Sequence, residues 1–136
     1  MHSIPLFVLL CALHFSSVAQ SMLNQKTVWY SPKTTQYVSR EDIILESKFI
    51  VDKQQTIQWV QKQGLRTYTL TIVGVQSNWT DTGKDGSIRY EVKIKRNRGY
   101  IIVGKSNNSL FVQTEFVKNG VNVLPLKFTV DRIEIL

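Results

Sequence analysis

Apolar and polar residues alternate with a period of two through most of this chain, most sharply between Gly86 and Gly104. Ile88, Tyr90, Val92 and Ile94 interleave with Arg89, Glu91, Lys93 and Lys95, the pattern of a strand with one buried and one solvated face. Asp85-Gly86 is a favourable turn pair ahead of it. Arg96-Asn97-Arg98-Gly99 reads as the turn that sends the chain back, and Tyr100-Ile101-Ile102-Val103, apolar throughout, predicts a strand covered on both faces. Burying the four apolar residues of the outgoing strand contributes roughly 6–12 kcal/mol, at about 1.5–3 each, before the entropy of ordering is set against it. A slip of one residue would turn the charged side chains into the core, so the register is strongly specified.

The same alternation recurs on either side. Thr27-Val28-Trp29-Tyr30, closed by Ser31-Pro32, predicts a short edge strand or an ordered arm within residues 20–35, because proline is unwelcome in a central strand. Ile43 to Val51 places Ile43, Leu45, Phe49 and Val51 on one parity, opposite Glu46 and Lys48. Thr56 to Gln63 is compatible with a strand or with one or two helical turns. A strand is favoured because Gly64 and the β-rich run Thr67 to Val73 follow directly. There Tyr68, Leu70 and Ile72 face one way and three threonines the other. Gln76 to Asp85 is the longest loop. Leu110 to Val117 reads as a strand, Lys118-Asn119-Gly120 as a hairpin turn, and Val121 to Leu136 as a last strand with Pro125 near its start. In that strand Leu126, Phe128 and Val130 share one parity and Ile133 and Ile135 the other, which predicts a β-bulge near Asp131-Arg132. Short strands at turn spacing with no helical period define an all-β fold, an antiparallel β-sandwich or barrel-like domain of about seven to eight strands, over residues 36–136.

Residues 1–19 differ in kind. An apolar stretch from Ile4 to Phe15 is followed by Ser17-Val18-Ala19, the small-x-small pattern of a secretory signal peptide cut between Ala19 and Gln20. The stretch is shorter than the ~20 residues a membrane span needs, and no later one replaces it, so no transmembrane anchor is expected. Cleavage would remove His2, Cys11 and His14, leaving about 117 residues with neither cysteine nor histidine. A Cys/His zinc site, a Ser-His-Asp triad, a cysteine nucleophile and internal disulfides are thereby excluded from the processed chain. No metal, cofactor or catalytic residue is expected. Such a chain depends on its core, and its length suffices for one domain.

Seventeen Lys and Arg against ten Asp and Glu give a net charge of +7. In an extracellular setting that excess favours an anionic glycan, anionic lipid head groups or an acidic protein face, while nucleic acid is not expected behind a signal peptide. Plain solubility is the alternative. Lys93, Lys95, Arg96 and Arg98, with Arg89 beside them, form the densest basic cluster and a candidate polyanion-binding stripe; the alternative is a solvated face with Glu91 as local partner. Asn78-Trp79-Thr80 and Asn107-Asn108-Ser109 fit the N-glycosylation pattern in expected loops. Tryptophans in a β domain usually pack in the core or at its rim; among Trp29, Trp59 and Trp79, the last stands out because its loop is otherwise polar. Glu46, Glu91 and Glu115 fall on outward faces, and no motif makes two of them a glycosidase pair.

Ser39-Arg40-Glu41-Asp42-Ile43-Ile44 and the terminal Phe128-Thr129-Val130-Asp131-Arg132-Ile133-Glu134-Ile135, with Val121-Asn122-Val123 after Lys118-Asn119-Gly120, resemble the insect multiprotein bridging factor 2 family, many members of which are small secreted proteins. Gly99 and Gly104 are the counterparts of its glycine-rich loop, and its closing Tyr-Gly is missing, so the chain resembles a divergent member. The resemblance implies an all-β fold and, by the family's name, transcriptional coactivation through protein bridging; it carries over no catalytic or ligand residue. Three functional expectations follow: a secreted, non-enzymatic interaction protein with a basic face, a carrier of a small apolar ligand between the sheets, and an intracellular coactivator. A large internal cavity would favour the carrier, and a tightly packed core would count against it.

Overall fold

The computed structural model describes residues 22–36, 42–43, 46–118, 121–122 and 125–136. The expected leader and its cleavage point at Ala19 and Gln20 lie outside the described residues, as do Ser39, Arg40, Glu41, Asn119 and Gly120. Alternation becomes strand nearly everywhere else: β1 (Lys26–Ser31), β2 (Lys33–Gln36), β3 (Asp42–Ile43), β4 (Ser47–Asp52), β5 (Thr56–Gln61), β6 (Arg66–Ser77), β7 (Gly86–Ile94), β8 (Asn97–Ser106), β9 (Ser109–Lys118), β10 (Val121–Asn122), β11 (Leu126–Thr129) and β12 (Arg132–Ile135). A 3-10 turn, Lys62–Gly64, follows β5. Among the described residues no helix is long and apolar enough to cross a membrane.

All pairings are antiparallel, and the ladder closes on itself. From β4 to β9 each strand pairs with the next. β9 pairs on with β11, and β4 pairs back with β1. The two ends meet because β1 and β2 run on from each other across Pro32, and β11 and β12 across Val130-Asp131. Thr27 to Tyr30 pair with Ile135 to Arg132, and Lys33 to Gln36 pair with Thr129 to Leu126 in the same register. Counting β1-β2, β3-β4 and β10-β11-β12 as one stave each, the molecule is an up-and-down barrel of eight staves. Closure pairs most of the described strand edges within the barrel, while Arg66 to Leu70 of β6 keep β5 as their one partner strand.

The inward faces are those the alternation marks. Phe49, Ile57, Val92, Ile101, Val112 and Phe128 are fully buried, and an aromatic group bridges the interior. Phe49 stacks on Trp59 at 5.5 Å between ring centroids and meets Phe128 edge-on at 4.9 Å. An eight-stranded barrel is just wide enough for side chains to fill, and here they fill it. The polar atoms of buried aromatics find partners: Trp29 Nε1 donates to Thr27 Oγ1 at 3.1 Å and Trp59 Nε1 to Ser47 Oγ at 3.1 Å. Tyr90 is buried among apolar neighbours, and that burial pushes its phenol up to about 12.

Several expectations are corrected. β1 is neither an arm nor an edge strand: it pairs with β4 on one side and β12 on the other, with Trp29 in the core. Pro32 is accommodated because it falls in the gap between β1 and β2, where its missing N–H breaks no ladder. The central turn is two residues earlier than its composition suggests. Ile94 pairs with Asn97, so Lys95 and Arg96 make the turn, Lys95 with φ of 52°, while Asn97, Arg98 and Gly99 belong to β8. β8 is covered on one face only; Ile101 and Val103 point in, whereas Tyr100 and Ile102 are half-exposed outside. The strand break near Asp131 is present, yet β11-β12 gains no residue over β1-β2 there, since the register matches on both sides. The register shift in the last stave lies earlier, between Asn122 and Leu126 where it pairs with β9. A bulge that alternation does not mark sits at Val73, between the pairs of Ile72 and Gly74, and leaves Val73 47% exposed.

Candidate functional site

The staves bring their connections to two ends that differ in chemistry. At one end lie the loops β4–β5, β6–β7 and β8–β9, together with Met22 and Leu23. Trp79, from the polar β6–β7 loop, folds back over this end rather than facing solvent. It is 5% exposed, its ring lies 6.1 Å from that of Trp29, and its Nε1 donates to the Lys84 carbonyl at 2.9 Å. Gly86 makes this possible, because a Cβ there would stand 2.6 Å from the indole. Asp85 ties the neighbouring turn down: its two carboxylate oxygens accept from the backbone N–H groups of Asn107 and Asn108 at 3.0 and 3.3 Å. Both asparagines have positive φ, 50° and 62°, as a two-residue hairpin turn demands. Asn78 is exposed with its Oδ1 accepting from Ser87 N–H at 2.8 Å. Both glycosylation triplets therefore sit at this end.

The other end carries the β5–β6 and β7–β8 connections, and cations gather there. Lys93 is the next-to-last residue of β7, Lys95 and Arg96 form the turn after it, and Arg98 is the second residue of β8; all four are exposed. Lys93 and Arg98 are direct cross-strand partners. Both point outward, and like charges placed directly opposite destabilise a sheet. Two further exposed cations, Lys62 in the 3-10 turn and Arg66 at the start of β6, join them from about thirty residues upstream. Only the topology shows this, since no local run in the sequence links the two groups. Among the described residues none of these six cations is ion-paired. Arg89 does not belong with them. It sits midway along β7 with its guanidinium 3.8 Å from the Tyr100 ring centre, a cation–π contact that occupies it locally.

A cleft of about 700 Å³ opens at the same end. It exists because β6 and β7 part company: they pair only from Thr71–Lys93 onward, and Arg66 to Leu70 pair with β5 alone. Its floor is made of inward-parity residues, Trp59, Leu70, Ile94 and Phe116, with Tyr68 at the rim and 37% exposed. Lys95 and Asn97 supply polar groups on one side, and Thr67 and Thr69 of β6 on the other. The aromatic group of the core runs into this cleft, since the Tyr68 ring lies 5.7 Å from that of Trp59.

The acids form no site. Glu91 stands beside Gly74, Glu115 accepts from Gln113 Nε2 at 2.7 Å, and Glu46 precedes β4, so the three belong to different staves and point away from the interior. Among the described residues no group of three or more His, Cys, Asp or Glu could hold a metal ion.

Fold and site together define a closed antiparallel β-barrel with one end capped by Trp79, beside which lies a smaller cleft of about 480 Å³, and one cationic end that opens into the larger cleft. No protein-family model, curated protein or solved structure matches the chain.

Proposed function

We propose that this is a secreted, non-enzymatic binding protein whose cationic end engages an anionic extracellular partner, a glycosaminoglycan being the simplest. The observation that carries the reading is the convergence of Lys62, Arg66, Lys93, Lys95, Arg96 and Arg98 on one end of the barrel without carboxylate partners among the described residues. Opposed Lys93 and Arg98 repel each other in the free protein, and a polyanion laid between them relieves that repulsion. The glycosylation triplets lie at the opposite end, where glycans would leave this surface clear.

Retention on immobilised heparin at about 0.15 M salt, with elution moving steeply as salt rises, is the expected result. Replacing Arg96 and Arg98 with alanine should shift elution to lower salt. Passage through the column at that ionic strength overturns the reading. Secretion is tested separately by the N-terminus of native material, expected at Gln20 in medium or body fluid. Intracellular coactivation, which the multiprotein bridging factor 2 resemblance offers, instead requires intact Met1 on nuclear protein.

A further inference from the structure

From the cleft beside the cations we infer a second binding site, one that takes a small anionic amphiphile: an apolar chain or ring system bearing a carboxylate, sulfate or sulfonate. The middle of the barrel is occupied by its own side chains, Phe49, Ile57, Val92, Ile101, Val112 and Phe128 all being fully buried. The mouth does have room. Its cleft of about 700 Å³ falls in the size range of small-molecule sites, mostly apolar with a few polar groups that orient the ligand. Trp59, Leu70 and Phe116 offer an apolar floor, Tyr68 an aromatic wall, Thr67 and Thr69 hydroxyls on the β6 side, and Lys95 with Asn97 a rim on the opposite side that carries the cleft's one charge. The rim supplies donors and positive charge and no carboxylate, so the head group it matches is an anion. Lys95 is held toward this rim by its place in a two-residue turn with positive φ. This site goes beyond the polyanion surface: Lys93 and Arg98 point outward from the wall and do not line the cleft.

Two fluorophores with the same aromatic body test it: 1-anilinonaphthalene-8-sulfonate and its uncharged analogue N-phenyl-1-naphthylamine, each titrated into the processed chain. Saturable binding of both at one site is expected, with the sulfonate at least ten-fold tighter. Lys95→Asn keeps a residue that tolerates positive φ and removes the charge; it should bring the sulfonate down to the affinity of the neutral probe and leave the latter unchanged. Tyr68→Asp, at a partly exposed position where the melting temperature can verify folding, should weaken both probes and the sulfonate more. Lys93→Ala should lower heparin retention while changing sulfonate affinity less than two-fold. Equal affinity for the two probes, no saturable binding, or a sulfonate affinity indifferent to Lys95→Asn overturns the inference. Loss of sulfonate binding on adding heparin to Lys95→Asn and parent protein alike, with Tyr68→Asp silent, would place the probe on the outer cations and overturn it too. Because Lys95 belongs to both surfaces, Lys93→Ala, which lies outside the cleft lining, is the variant that separates heparin retention from cleft binding.

Discussion

The sealed and the open end of the barrel are made from the same staves, but they treat an aromatic residue and its neighbours in opposite ways. At the sealed end Trp79 leaves a polar loop to cover Trp29, Gly86 makes space for it, and Lys84 and Asp85 satisfy the polar groups the fold-over brings together. At the open end Tyr68 extends the core aromatics outward and stops short of covering them, and exposed cations gather around it without ion pairs among the described residues, although the Lys62 N–H donates to the backbone carbonyl of Glu46 at 3.1 Å. Buried packing and satisfied hydrogen bonds hold the first end, while an exposed aromatic and exposed cations mark the second. Separation of this kind is expected of a binding protein, since groups arranged for a partner are left imperfectly satisfied in its absence.

That contrast can be broken most forcefully at the tryptophan. Trp79→Ala should cost about 3–5 kcal/mol in urea unfolding, the range for a large buried aromatic, whereas Tyr68→Ala at the open end should cost about 1 kcal/mol or less. Comparable losses at both would show that the two ends are equally structural. Next comes alkaline pH. The Tyr90 phenol is raised from 10.0 to about 12 by burial, so the unfolded chain releases this proton first. The associated stability is complete below pH 10 and lost as pH climbs toward 12, with a slope of up to about 1.4 kcal/mol per pH unit. Tyr90→Phe should flatten that part of the stability–pH curve; an unchanged curve would mean the phenol is not the titrating group. Asp85→Ala, which strips two backbone N–H groups of their acceptor, should cost about 1 kcal/mol and leave heparin elution where it was. Smallest is Lys93→Ala, expected to raise stability by a few tenths of a kcal/mol by ending the repulsion with Arg98. A destabilising Lys93→Ala would remove the argument that these cations are kept for a partner at the expense of the fold.

Which faces turn inward was legible along the chain because a strand offers only two, and burial of Ile88, Tyr90 and Val92 forces the choice. The turn at Lys95-Arg96 was not, because Asn97-Arg98-Gly99 has the composition of a turn while its register places it in β8. Gly99 is there for a different reason: a Cβ would stand 2.5 Å from the Glu115 carbonyl across the ladder. The position of Trp79 was equally hidden, since a polar loop gives no local sign that its one large apolar residue will find a gap between distant staves. For the candidate site, the basic run near residue 95 could be read directly, but Lys62 and Arg66 join it only through the β5–β6 connection, and Arg89 leaves it only because Tyr100 lies under its guanidinium.

By itself, then, the order of residues determined the strand content, the inward parity of the alternating strands such as β4 and β7, though not of the uniformly apolar β8, and the net positive charge, all of which rest on short-range alternation and on counting. Closure of the ladder into a barrel, the sealing of one end, the gathering of cations at the other and the cleft between β6 and β7 were decided by tertiary structure. Each depends on pairings between segments tens of residues apart, such as Thr27 with Ile135, and local sequence carries no energy term that favours one distant partner over another until the chain has folded around them.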